Sequence, residues 1–372
     1  MSKKKVLILT DYVGESLNST PNVRVKTLCE NYDVDIFLRN KVEELSGLNA
    51  KSFNEYKIMD IFSSCLRNKY DIIYTSPIHH YFIAWICSKL SKGKLVFDIF
   101  DDITLSKALI KTQKGIYAKI KYLVYSIIYL LGFSVIKKAD NVYLTLNEKI
   151  LKYYPIRKKG YIHLTNGIWS NIVKENSSKE VQGTNRDRYN IVYVGYVRED
   201  RGIFKILEAV NMIKSQVKCD YLFHILGPVS IEDERRVNDY LIANNIEESF
   251  KFYGFAKYET VKEVLKKSDL AIYFFPTGKR ELDYIYPIKL FEYLSFGLPI
   301  IATSGHGIEE IKQDFPNQIK TCEYDSRQLA ELIMVNIDST IEKNILSKME
   351  KYYWENINKI FIQEIEKTFY VK

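Results

Sequence analysis

Short apolar runs rich in β-branched residues alternate with longer helical segments along almost the whole chain, and this rhythm leaves few architectures open. The first run, K-V-L-I-L-T-D at Lys5 to Asp11, is continuous rather than alternating. That is the pattern of a strand buried on both faces, as in a parallel sheet. A polar loop containing Gly14 follows, then the helical V-R-V-K-T-L-C-E-N and the short run V-D-I-F. Strand, loop, helix and strand make a βαβ unit. The alternation continues through Y-D-I-I-Y-T-S-P, K-L-V-F-D-I-F-D-D, A-D-N-V-Y-L-T-L-N and Y-I-H-L-T-N-G-I. It is the cadence of a doubly wound sheet.

The cadence breaks at Asn171 to Arg188, where N-I-V-K-E-N-S-S-K-E-V-Q-G-T-N-R-D-R is polar, and resumes at Y-N-I-V-Y-V-G-Y-V. At 372 residues the chain exceeds what one hydrophobic core usually supports. The expected organisation is α/β with two Rossmann-like domains facing a cleft: residues 1–170, a linker at 171–188, and residues 189–345, followed by a terminal helical segment at 346–372. That last segment, from Ile341 to Phe369, carries Trp354 on its apolar side.

Charge narrows the partners. A formal charge of +8 favours an anionic partner, a nucleoside diphosphate, a membrane surface or nucleic acid. No zinc knuckle, RNP-like aromatic motif or arginine-rich segment occurs, so nucleic acid is not expected. Cys29, Cys65, Cys87, Cys219 and Cys322 are odd in number, far apart and never in C-x-x-C spacing, the usage of reduced thiols in a cytoplasmic protein. The basic start M-S-K-K-K leads into an apolar run that stops at Thr10 and Asp11, too short for a signal-peptide core.

The stretch Y-P-I-K-L-F-E-Y-L-S-F-G-L-P-I-I-A-T, Tyr286 to Thr303, is apolar enough for a core yet holds Lys289 and Glu292 near its start. Pro287 suits the first turn of a helix and Gly297 the position past its end, so the helix is short. Its unpaired N–H groups and positive dipole end favour an anion. Spacing alone also allows an i, i+3 ion pair worth a few tenths of a kcal/mol. A Glu among Leu290, Phe291, Tyr293 and Leu294 needs a partner in either case.

This stretch resembles the donor-site signature of retaining GT-B glycosyltransferases of the GT4 (group 1) family, in the subgroup with the form P-x-K-x-F-E-Y. The resemblance implies a nucleotide diphosphate sugar donor, a glycan or lipid-linked acceptor, no cofactor and no metal. It also implies roles: Glu292 binds the ribose hydroxyls, and Pro287, Lys289 and Leu290 form the turn near the diphosphate. V-G-Y-V-R-E-D-R-G-I-F-K-I-L-E-A-V is similar to the family's first strand and loop of the second domain, which makes Arg201, followed by Gly202, the diphosphate clamp and Arg198 a second candidate. Y-Y-W-E-N-I-N-K-I-F resembles the family's terminal helix, which crosses back to the first domain. K-L-V-F-D-I-F-D-D matches the family's strand end with Phe100 where arginine is usual. Tyr284 stands where many members have a sugar-binding glutamate, so the sugar stays open and a nucleotide-binding scaffold without turnover is the alternative reading.

Within the first half, Asp98, Asp101 and Asp102 form either a strand-end turn with a helix cap or a catalytic cluster. The resemblance places Asp101 at the anomeric carbon, where a carboxylate can orient the acceptor hydroxyl or stabilise positive charge. Gly14, with no Cβ, lets backbone approach a phosphate or sugar. His79 and His80 follow a strand and are candidates for the acceptor cleft; no third ligand lies at local metal spacing. Asp33 and Asp35 sit inside a strand-like run, which speaks against a metal-binding D-x-D. The segment 116–138 is apolar, tyrosine-rich and lysine-flanked, either a core helix or a helix lying on a membrane surface, in keeping with a protein on the inner face of a membrane.

Overall fold

The computed structural model describes residues 3–11, 19–39, 48, 50–103, 115–154, 156, 160–177, 188–214, 216, 220–337 and 346–370. Gly14, Cys219, residues 107–114 and the middle of the polar segment at 178–187 lie outside them. The chain divides into a first unit of residues 1–167 and 354–372 and a second of residues 168–353.

The first unit is built on seven parallel strands: β1 (Lys5–Thr10), β2 (Asp33–Leu38), β3 (Ser52–Glu55), β4 (Ile72–Thr75), β5 (Lys94–Ile99), β6 (Asn141–Leu144) and β7 (Ile162–His163). Their order in the sheet is β3-β2-β1-β4-β5-β6-β7. Val6, Leu7, Ile8 and Leu9 of β1 are all fully buried, as a strand covered by helices on both faces requires. Because the chain winds outward from β1 in one direction and returns to β4 on its other side, adjacent loops diverge at the carboxyl ends of β1 and β4. A crevice opens there.

The helix Trp354–Tyr370 completes this unit and packs against the helix Thr20–Asn31. Arg24, fully buried, explains much of the fit. Its Nη1 donates to Asn358 at 3.2 Å, its guanidinium lies 4.6 Å from the Phe361 ring centre, and its Nε is 3.7 Å from Asp98. Asp98 also accepts from the Tyr74 hydroxyl at 2.7 Å. Burial pulls the Arg24 guanidinium down and pushes the Asp98 carboxyl up, each opposed by the other's charge. Losing either partner alone would strand the other charge, at a cost of about 3–5 kcal/mol. The terminal segment is not one helix from Ile341: Leu346–Met349 and Glu350–Tyr352 are separate turns, and Tyr353 is extended where it bridges to Ile168.

The second unit has six parallel strands: β8 (Arg188–Val194), β9 (Asp220–Leu226), β10 (Phe250–Gly254), β11 (Leu270–Tyr273), β12 (Ile300–Thr303) and β13 (Ile319–Cys322). The order β10-β9-β8-β11-β12-β13 repeats the first winding, with its divergence between β8 and β11. The expected linker corrects at its start. Ser170–Ser177 is a helix whose Val173 is fully buried in this unit's core, so the division falls earlier, between Gly167 and Ile168.

Candidate functional site

At the carboxyl end of β8 the chain passes Gly195, runs through the short turn Glu199–Arg201, and enters the helix Ile203–Ile213. Gly202 links the turn to the helix with φ of 87°, a conformation side chains resist, and a Cβ there would lie 2.9 Å from the Phe274 carbonyl oxygen. The loop is thus held against the chain leaving β11. Arg201 is half-buried beside Tyr193 and Tyr273, whose phenols feel its charge. Among the described residues no carboxylate forms an ion pair with it. Arg198 differs: it is exposed and paired with Asp200 at 2.8 Å. Of the two arginines, Arg201 is the one whose charge is uncommitted.

After β11 the chain returns through Tyr284 and Pro287 into the helix Ile288–Ser295, with Gly297 at φ of 67° just past its end. The Tyr293 hydroxyl accepts the Val194 N–H at 3.0 Å, fixing this helix beneath the end of β8. Glu292 is 7% exposed, and its Oε2 accepts from Lys289 Nζ at 2.9 Å. The ion pair allowed by spacing is therefore real. It does not sit on a solvated face, because Glu292 is buried while Lys289 keeps 38% of its side chain in solvent. The Leu290 side chain is fully buried in the core and its N–H donates to the Pro287 carbonyl at 3.0 Å. Pro287 caps the helix, leaving the first-turn N–H groups of Ile288 and Lys289 without intrahelical acceptors. Tyr284 is buried, 4.9 Å ring to ring from His306.

The first unit gathers a second group at its own divergence point. His79 and His80 lie in the turn Ile78–His80 after β4, and both aim Nε2 at one oxygen of Asp11, at 2.8 and 3.0 Å. Asp11 directly follows β1. His80 is buried, with Nδ1 2.7 Å from the Tyr56 hydroxyl; His79 is only partly covered. Burial pushes the His80 imidazole down to about 4, outweighing the upward pull of Asp11. Burial raises the Asp11 carboxyl, but hydrogen bonds from both histidines more than offset it and hold the group well below the usual range. The arrangement holds the His79 imidazole in a fixed orientation. Its ligand atoms also lie within 4.8 Å of one another, so the third metal ligand missing at local spacing is supplied from β1.

The carboxylates around β5 separate by role. Asp98 is the buried partner of Arg24, and Asp102 is buried and accepts from Tyr154 at 3.0 Å. Asp101 alone is exposed. Asp35 accepts from Ser52 and Tyr70, both at 2.6 Å, and is part of the sheet rather than a metal site.

Comparison with known proteins addresses the second unit by family and both units by fold. Residues 174–352 match the family of group 1 glycosyl transferases. This group 1 segment is just under half of the chain and contains Arg198, Arg201, Gly202, Lys289 and Glu292. WcaL of Escherichia coli (strain K12), a putative colanic acid biosynthesis glycosyltransferase, is 25% identical over 177 residues, 47% of this chain and 42% of WcaL. AmsK of Erwinia amylovora, an amylovoran biosynthesis glycosyltransferase, is 24% identical over 147 residues, 39% of this chain and 35% of AmsK. The matched segment thus spans less than half the length of these curated relatives. HepE of Anabaena, solved in complex with UDP, superposes with a TM-score of 0.73 over 98% of this chain and 100% of its own at 13% identity. A glycosyltransferase from Rickettsia africae gives 0.74 over 99% of each chain, also at 13% identity. At such identity the likeness speaks for fold, and the fold class is GT-B, as the motifs imply.

Asp11 and Tyr56 were not singled out by the sequence. The available signal was weak: a carboxylate at the end of the first strand, where a doubly wound sheet opens.

Proposed function

We propose that the protein is a retaining, metal-independent glycosyltransferase that moves a sugar from a nucleoside diphosphate sugar to a glycan or lipid-linked acceptor in cell-surface polysaccharide synthesis, on the cytoplasmic side of the membrane. The observation that carries this reading is Glu292, a buried carboxylate in the short helix beneath the diverging strands β8 and β11. Glu292 accepts hydrogen bonds from the ribose hydroxyls. Arg201, Lys289 and the first-turn N–H groups take the diphosphate, and Gly202 lets the loop approach. Charge stabilisation at the departing diphosphate supplies most of the rate, and a phosphate oxygen receives the acceptor proton. In the first unit, Asp11 holds His79 toward the acceptor hydroxyl, and Asp101 faces the sugar. The polysaccharide role rests on WcaL and AmsK, and a uridine donor on HepE, whose structures include complexes with UDP and with UDP-glucose.

A panel of nucleotide sugars tests the reading by thermal shift, because a ligand specific to the folded state raises its stability by mass action. Transfer of labelled sugar from the stabilising donor to a lipid-linked acceptor is the expected result. Wild-type nucleotide affinity in Glu292→Ala would overturn the donor site. One observation favours a second reading: Tyr284, buried where a sugar-binding glutamate is usual, suits a nucleotide-binding scaffold. Binding without turnover on any acceptor would decide for it.

A further inference from the structure

The helix Ile116–Ile136 is long and apolar, yet only 22% of its most apolar stretch is buried. At 100° per residue, Ile116, Ile120, Leu123, Ile127, Leu130 and Leu131 fall within an arc of about 100°. All six are exposed, Ile116 at 79%, Leu123 at 62% and Leu130 at 70%. The opposite side is the covered one: Ala118, Tyr129, Gly132, Val135 and Ile136 are buried, and the helix packs on Tyr81–Ser91 and on the turn Ile78–His80. Gly132 permits that fit, since a Cβ there would lie 2.7 Å from Ile78 Cγ1 and 2.9 Å from its carbonyl oxygen. An amphipathic helix normally turns its apolar stripe to the core. This helix is apolar on its covered side as well, and leaves a second apolar stripe to solvent.

We propose that this stripe seats the protein on the surface of an anionic phospholipid bilayer. The charges choose the occupant. Lys119 lies at the edge of the stripe, Lys137 and Lys138 follow its end, and no acidic residue occurs from Gly115 to Ala139. A second copy packed on the same face would set lysines against lysines, whereas anionic headgroups complement them. The helix does not cross the bilayer, because its other face is committed to the first unit and two lysines lie along it. It lies in the interfacial plane with the stripe in the acyl boundary and the lysines among headgroups. Since the helix backs the turn that carries His79 and His80, a lipid-linked acceptor is the class that follows; that clause rests on the transfer reading, and membrane binding does not.

Sedimentation of the full chain with vesicles tests the proposal. The expected result is binding to phosphatidylglycerol-containing vesicles, weakened by salt and absent with phosphatidylcholine alone. Leu123→Glu with Ile127→Glu should abolish it, and Lys119→Ala should weaken it about fivefold. These side chains are exposed, so thermal unfolding and nucleotide stabilisation should stay at wild-type values, which separates lost docking from lost folding or donor binding. Equal binding to neutral vesicles, no binding, or binding untouched by the double substitution would overturn the proposal. So would a dimer in light scattering that the same double substitution dissolves.

Discussion

The two sheets wind identically, yet the groups at their diverging edges are assembled in opposite ways. In the second unit Lys289 and Glu292 come from one turn of helix, and only Arg201 is brought in from a distant loop. In the first unit Asp11 meets His79 and His80 across 68 and 69 residues. The same topology thus presents a charge pair closed within one helix on one sheet and a cluster closed only across strands on the other. A local motif can be matched between distant relatives, and the family match falls on the second unit. The nonlocal cluster leaves no such trace.

The sharpest way to break this comparison is to exchange readouts between the sites. Glu292→Ala should weaken nucleotide binding roughly 100-fold, the loss of charged hydrogen bonds to two hydroxyls. His79→Ala should leave that affinity unchanged and slow transfer alone. If titration calorimetry found both substitutions weakening the nucleotide alike, the division of labour would fail.

Within the second unit, Arg201→Ala should cost about 30-fold in affinity for a nucleoside diphosphate and little for the nucleoside, as expected for a charged contact. Arg198→Ala, exposed and already tied to Asp200, should stay within about threefold. The reverse ranking would move the clamp to Arg198.

A pH scan addresses the first unit. Burial holds folded His80 at about 4 against an unfolded value of 6.5, so between those limits the unfolded chain takes up the proton first. Stability is therefore full above pH 6.5 and falls as pH drops toward 4, by about 3 kcal/mol from this group. His224 in the second unit, bonded to Tyr253 and Asn190, is likewise pushed down to about 4 by burial and neighbouring cations. Thermal unfolding of His80→Gln should lose part of the acid-side slope, and the double variant with His224→Gln more of it; an unchanged slope in the double variant would refute the assignment.

Smaller effects sharpen the picture. Asp11→Asn should lower kcat about 10-fold with nucleotide affinity intact, the effect of a positioning residue on the imidazole that orients the acceptor hydroxyl. Chelators should leave transfer unchanged; activity lost to a chelator and restored by zinc would make Asp11, His79 and His80 a metal site instead. Gly202→Ala should destabilise by about 1 kcal/mol through its positive φ, measured by thermal unfolding.

The sequence by itself determined the two windings, because continuous apolar runs separated by helical segments fold into covered parallel strands with little choice. It also determined the short helix from Pro287 to Gly297 and its two charges, since capping residues act locally. Tertiary structure alone decided what those charges face: Glu292 buried against Lys289, Leu290 in the core, Arg201 uncommitted where Arg198 is paired. The three aspartates near β5 read alike in sequence and separate only when Arg24 and Tyr154 arrive to claim Asp98 and Asp102. The stripe on Ile116–Ile136 is the last such case. Its apolar character on every side is written in the residues, but which side meets the protein is settled by Gly132 and Ile78, and that contact leaves one apolar stripe to solvent.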